Sequence, residues 1–131
     1  MKEIKIGTEF SSDVLVENSN LAVTVGSGSL EVFATPMAIA LVEKAACGCL
    51  KSFLDDGETT VGTDISFSHT APTPLGARVS AKVTVSAVEG REITFSVEVS
   101  DNVGLIGIGT HKRFLVFAEK FQQKVNAKIN V

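Results

Sequence analysis

Two histidines and one oddly placed glutamate define the acid–base chemistry open to this chain. His69 closes the alternating run TDISFSH and stands immediately before the turn TAPTPLG. In a strand from about Val61 to His69, Thr63, Ile65, Phe67 and His69 share one face, and Asp64, Ser66 and Ser68 share the other. His69 thus extends an inward row, where an imidazole is ordinarily a hydrogen-bonded core residue. The next residues change that reading. Pro72 and Pro74 fix their own backbone angles and restrict the residues before them, so the segment beyond His69 is stiff, as the wall of a reactive site needs to be.

Glu43 lies within TPMAIALVEKAACGCL, part of a helix expected from Thr35 to about Leu54 and stopped before Asp56-Gly57. Ile39, Ala40, Ala46, Cys47 and Leu50 surround it on the helix surface, while Lys44 and Lys51 share a narrow polar edge. So apolar a helix is expected to be covered on most sides, and an ionised carboxylate is expensive to bury there. Two readings are open. Either the face is partly covered and Glu43 pairs with a lysine such as Lys44 or Lys51, or it lines a pocket whose loss of water prepares it for proton transfer. Thr35 precedes Pro36 and is explained by capping the helix start, a role that leaves room for a second one. In GIGTHKRF, Gly107 and Gly109 interrupt a strand and permit a bulge or a ligand's close approach. Arg113 shares the face of His111 and could meet an anionic group, although a solvated arginine is the commoner outcome.

The elements that must position these residues are readable from periodicity. Val79, Ala81, Val83, Val85 and Ala87 alternate with polar residues between Leu75 and Val88, as a half-buried strand requires. After a turn at Glu89-Gly90, Ile93, Phe95, Val97 and Val99 repeat the pattern. Asp101-Asn102 turns the chain into a strand from about Leu105 to Phe117, and Thr8 to Val16 reads as a first strand. The segment VGSGSL reads as a loop, and EKFQQKVNAKIN as a short surface helix or frayed tail. Short turns between late strands imply an antiparallel meander, and one long apolar helix implies what it wraps. The expectation is a single α+β domain over residues 1–131, with one sheet curled around one helix. Open sheet edges further predict a dimer that continues the sheet.

Composition narrows the function. The 131 residues are 44% apolar and 21% charged, with a net charge of -3, which offers neither a basic stripe for nucleic acid nor a polybasic segment for lipid. The start MKEIKIGTEF lacks the apolar core of a secretory signal, and the longest apolar stretch falls short of the roughly 20 residues a membrane span needs. A cytoplasmic protein without membrane or nucleic-acid partners is expected. Cys47 and Cys49 are two apart on the helix and point to different sides, so they neither pair nor chelate one metal; both read as small core residues.

Taken together, FATPMAIALVEKAA, VGTDISFSHTAPTPLG and GIGTHKRF resemble the hot-dog-fold thioesterases related to the fluoroacetyl-CoA thioesterase. The likeness covers most of the chain in the same order. It implies a catalytic group of Thr35, Glu43 and His69, with Gly62 and Arg113 at the substrate. The implied reaction is hydrolysis of an acyl-CoA thioester, with no metal or bound cofactor; about 12 Å of helix between Thr35 and Glu43, with the open sheet edge, makes a homodimer the expected assembly, and whether dimers pair into a tetramer is left open. Glu43 would act as base on water or attack the carbonyl itself, and His69 would protonate or stabilise departing groups. The fluoroacetyl enzyme uses phenylalanines in a lid before the helix, where this chain has Val25, Gly26, Ser27, Gly28 and Ser29. This departure implies a different acyl group, with Phe33 left to shape the pocket. Two rivals remain: a hot-dog hydratase, whose acid and histidine are five apart as Asp64 and His69 are, and a non-catalytic acyl-CoA sensor.

Overall fold

The fold is built on two alternating rows and one helix. In the computed structural model, which describes residues 1–130, the strands are β1 (Glu9–Leu15), β2 (Glu58–His69), β3 (Arg78–Glu89), β4 (Glu92–Ser100) and β5 (Leu105–Phe117). The helices are α1 (Ala22–Val25), α2 (Thr35–Leu50) and α3 (Ala118–Asn126). All neighbouring strands pair antiparallel in the order β1-β3-β4-β5-β2, with β1 and β2 as edges. The sheet curls around α2, which touches β1, β2, β3 and β4. Among the described residues, no helix is long and apolar enough to cross a membrane.

The expected rows form the core. Val79, Ala81, Val83 and Val85 of β3 and Ile93, Phe95, Val97 and Val99 of β4 face Ala38, Leu41, Val42, Ala45, Ala46, Cys49 and Leu50 of α2. Alanines at the contact let the helix backbone lie close to the sheet, and each larger side chain removed from water contributes about 1.5–3 kcal/mol. The helix runs to Leu50 and tightens into a 3₁₀ turn over Lys51–Phe53, close to its expected end. The β3–β4 turn is Gly90-Arg91, one residue later than expected, with Gly90 at φ 61°, a conformation glycine adopts without strain. The C-terminal segment is the expected surface helix.

Two expectations fail on α2. Pro36, Ala40, Lys44, Cys47 and Lys51 form an exposed stripe, so the helix is open to solvent on one side. Accordingly Cys49 is buried but Cys47 is exposed, and both thiols are free. Hydropathy shows which surface gains from being covered; here the chain's own sheet covers only part of it. A third correction concerns β2. Its pairing with β5 shifts between Gly62 and Asp64, and Thr63 is the extra residue of the bulge. Ile65, Phe67 and His69 stay on the inner face opposite His111, Gly109 and Gly107, but before the bulge the inward positions are Thr60 and Gly62. Thr63 therefore does not continue the inward row.

Candidate active site

Thr35 and His69 come together. Thr35 Oγ1 lies 2.8 Å from His69 Nδ1, joining the first turn of α2 to the last residue of β2 across 34 residues of chain. Thr35 is not the helix cap: Ala34 takes that position without a side-chain cap bond, and Thr35 is already helical with Pro36 beside it. The hydroxyl is thereby free for the imidazole. The expected stiff turn holds the other side. Thr70 and Ala71 donate their amides to the Ile106 carbonyl, Phe33 donates to the carbonyl of Thr73, and the buried Thr73 hydroxyl donates to Asp101 at 2.8 Å. That hydroxyl bond, with the amides of Val103 and Gly104, holds the Asp101 carboxyl below the usual carboxylate range.

His69 opens into a cavity of about 390 Å³ shared with Thr35, Ala22, Phe33 and the loop Ser27 to Leu30. Its Nε2 is enclosed and has no hydrogen-bond partner among the described residues. Buried polar atoms are nearly always paired, so an orphan of this kind marks a position that chemistry or a ligand uses. Phe33 is fully buried in the cavity floor. The loop bears no aromatic side chain: α1 ends at Gly26 in the left-handed conformation, and Ser27, Gly28 and Ser29 line the opening.

Glu43 occupies a second cleft, of about 380 Å³, with Gly62, Thr63, Asp64, Ile65 and His111. It pairs with neither Lys44 nor Lys51. Its Oε2 accepts from Arg113 Nη1 at 3.2 Å, and its side chain is 45% exposed, so it is half in water rather than enclosed. Arg113 is buried, contrary to the solvated reading, and its charge is met on every side. Nε donates to Thr60 Oγ1 at 2.9 Å, Nη2 to the Thr60 carbonyl at 3.0 Å, and Nη1 is also 3.1 Å from His111 Nε2. An unpaired guanidinium so buried would cost several kcal/mol, about 3–5 when one partner of a buried pair is removed. Gly62 supplies the space: a Cβ there would sit 2.6 Å from Glu43 Oε2 and 3.2 Å from Arg113 Nη1.

Thr60 and the buried role of His111 escaped sequence reasoning. His111 Nδ1 lies 2.8 Å from the Asp64 carbonyl, and its ring stacks on Phe95 with centroids 6.2 Å apart. Burial pushes the His111 imidazole down from its ordinary range; the Asp64 carbonyl bond opposes this, and the Arg113 cation adds to it. Asp64 itself is outward on β2 and His69 inward, so the hydratase-like pair does not converge. Thr35 and His69 thus meet directly, Glu43, Gly62 and Arg113 meet separately, and among the described residues no hydrogen bond links the two groups.

Known proteins resemble this chain in sequence and fold. The fluoroacetyl-CoA-specific thioesterase family matches residues 16–119. The fluoroacetyl-CoA thioesterase of Streptantibioticus cattleyicolor is 41% identical over 98 residues, 75% of this chain and 70% of that protein. A solved structure of a fluoroacetyl-CoA thioesterase superposes with a TM-score of 0.92 at 33% identity, covering 97% of this chain and 98% of the other. A hot-dog-like protein from Thermanaerovibrio acidaminovorans superposes at 0.85 with 27% identity, over 94% of this chain and 91% of its own. The match spans Thr35, Glu43, Gly62, His69 and Arg113 alike, and the chain belongs to the fluoroacetyl-CoA-specific thioesterase family, a family of thioester hydrolases on the hot-dog fold.

Proposed function

We propose that this chain hydrolyses acyl-CoA thioesters to a carboxylate and free coenzyme A, with Thr35, His69 and Glu43 as the reacting group. The observation that carries this reading is the enclosed, unpartnered Nε2 of His69 beside Thr35 in the cavity wall. With Thr35 donating to Nδ1, the ring proton sits on Nε2, the enclosed atom of a residue that lines the cavity. Glu43 takes a proton from water, whose oxygen bonds to the acyl carbon; the carbon–sulfur bond then breaks, the His69 Nε2–H stabilises the leaving thiolate by hydrogen bonding, and the proton held by Glu43 passes to the sulfur, which restores the carboxylate. The Arg113 contact uses Oε2 and leaves Oε1 to the water. Backbone amides at the start of α2, or at Gly62, receive the developing negative oxygen. No metal or bound cofactor enters these steps, and coenzyme A arrives with the substrate.

Thr35 and Glu43 are separated by eight residues of α2, about 12 Å of axial rise, too far to act on one carbonyl within a chain. A homodimer completes the site in this proposal, each copy giving Glu43 to the partner's Thr35 and His69. The unpaired edge of β2, the cleft opening at Gly62 to Ile65 and the exposed stripe of Pro36, Ala40 and Cys47 support it. Such dimers can pair again into tetramers. A cytoplasmic setting accords with two free thiols on one helix.

The loop of Ser27, Gly28 and Ser29 over the buried Phe33 supports an acyl group other than fluoroacetyl. Thiol release measured across short, branched, aryl and fluorinated acyl-CoAs is expected to show turnover, with fluoroacetyl-CoA not preferred. Binding of acyl-CoAs without thiol release would make the chain a sensor module instead, and addition of water to an enoyl-CoA would make it a hydratase.

A further inference from the structure

We propose that His111 is a positioning residue for hydrolysis: its neutral imidazole fixes one N–H of Arg113 Nη1, so that the other N–H of the same nitrogen holds the Glu43 carboxylate at the angle from which it attacks water. This rests on the reading of Glu43 as the base.

The Asp64 carbonyl can only accept, so His111 Nδ1, 2.8 Å away, carries the proton and donates. Nε2 is then a lone pair, and Arg113 Nη1 at 3.1 Å donates to it. Nη1 has two protons, and the second goes to Glu43 Oε2 at 3.2 Å. Nε and Nη2 are held by Thr60, so the guanidinium plane is set on three sides. Removing the His111 acceptor leaves that N–H unpaired and lets the planar group tilt about its two Thr60 bonds, so the carboxylate loses its fixed donor. Protonating His111 is worse, because an Nε2–H would then oppose the Nη1 cation.

Burial, with the Phe95 ring of β4 over one face, and Arg113 of its own strand β5 favour the neutral ring; Glu43 from α2 and Asp64 from β2, through its carbonyl and its carboxylate, favour the charged one, and burial is the largest of these effects. Burial and Arg113 keep the folded-state imidazole below its unfolded value, so between those two values the unfolded chain binds the extra proton. Stability from this site is therefore full above about pH 6.5 and is lost as the pH falls toward the folded value.

The test compares His111→Asn with His111→Gln in the full chain. Asparagine places an amide near Nδ1 and can still donate to the Asp64 carbonyl, but it does not reach Arg113; glutamine carries an acceptor oxygen near Nε2. His111→Asn is expected to lower kcat by up to about 100-fold with KM nearly unchanged, and His111→Gln to recover most of the rate. The loss should vanish when His111→Asn is made in a Glu43→Gln background. Equal and full activity of both variants would overturn the proposal, as would equal losses of kcat that track losses of Tm. If Glu43→Gln alone hydrolyses at the wild-type rate, the reading of the base has failed. If Glu43→Gln is impaired but His111→Asn is not, only the present inference has failed.

Discussion

Replacing Glu43 by glutamine is expected to lower kcat for acyl-CoA hydrolysis by about 10²–10⁴-fold, the usual contribution of a positioned general base. Shape is conserved, and the amide oxygen can still accept from Arg113 Nη1, now 3.2 Å from Oε2. Because the Glu43 side chain is 45% exposed, the stability cost should lie near the surface-pair value of about 1 kcal/mol rather than the 3–5 of a fully buried pair. A large rate loss with a small change in Tm therefore separates chemistry from folding. His69→Ala should lose a comparable factor on acyl-CoA but much less on an aryl thioester, whose more stable thiolate leaves without the Nε2 hydrogen bond. Equal losses on both substrates would remove His69 from the role of stabilising the leaving group.

Gly62→Ala is expected to damage catalysis without damaging the fold. The added Cβ would lie 2.6 Å from Glu43 Oε2, 3.2 Å from Arg113 Nη1 and 3.3 Å from His111 Cε1. The nearest of these is the end of a flexible side chain, so the carboxylate yields while the strand stays in place. A displacement of about 1 Å at a reacting group can lower the rate by 10²-fold, and a loss of that order in kcat is expected here. Gly62 is not among the positive-φ glycines, and alanine limits the unfolded chain by about 0.4–1 kcal/mol, a gain that the tight contacts with the buried Arg113 and His111 offset, so Tm should change little. Wild-type turnover, or a collapse of Tm, would contradict this geometry.

What the amino-acid pattern showed, and what it hid, follows from how local each feature is. The rows Val79 to Val85 and Ile93 to Val99 and the helix from Thr35 are period signals carried by neighbouring residues, and they appear in the fold as read. The pairing of Thr35 with His69 spans 34 residues, and only the family resemblance brought the two together. The Arg113 cluster was obscured by one residue. Because side chains alternate, the bulge at Thr63 reverses the faces of everything before it, so Thr60 and Gly62 turn inward although an unbroken strand would turn them out. Ala40 and Cys47 are exposed for another reason: their hydropathy asks for cover, and the sheet of the same chain does not provide it.

The central claim is that Glu43 serves the Thr35–His69 pair of a second copy, and mixing two disabled chains tests it most directly. Thr35→Ala and Glu43→Ala proteins, each inactive alone, are unfolded together in equal amounts, refolded and assayed for thiol release. Random pairing gives heterodimers with one intact composite site, so the mixture is expected to regain about one quarter of wild-type activity. No recovery, with heterodimers shown to be present, would contradict the shared site and return all three residues to a single chain.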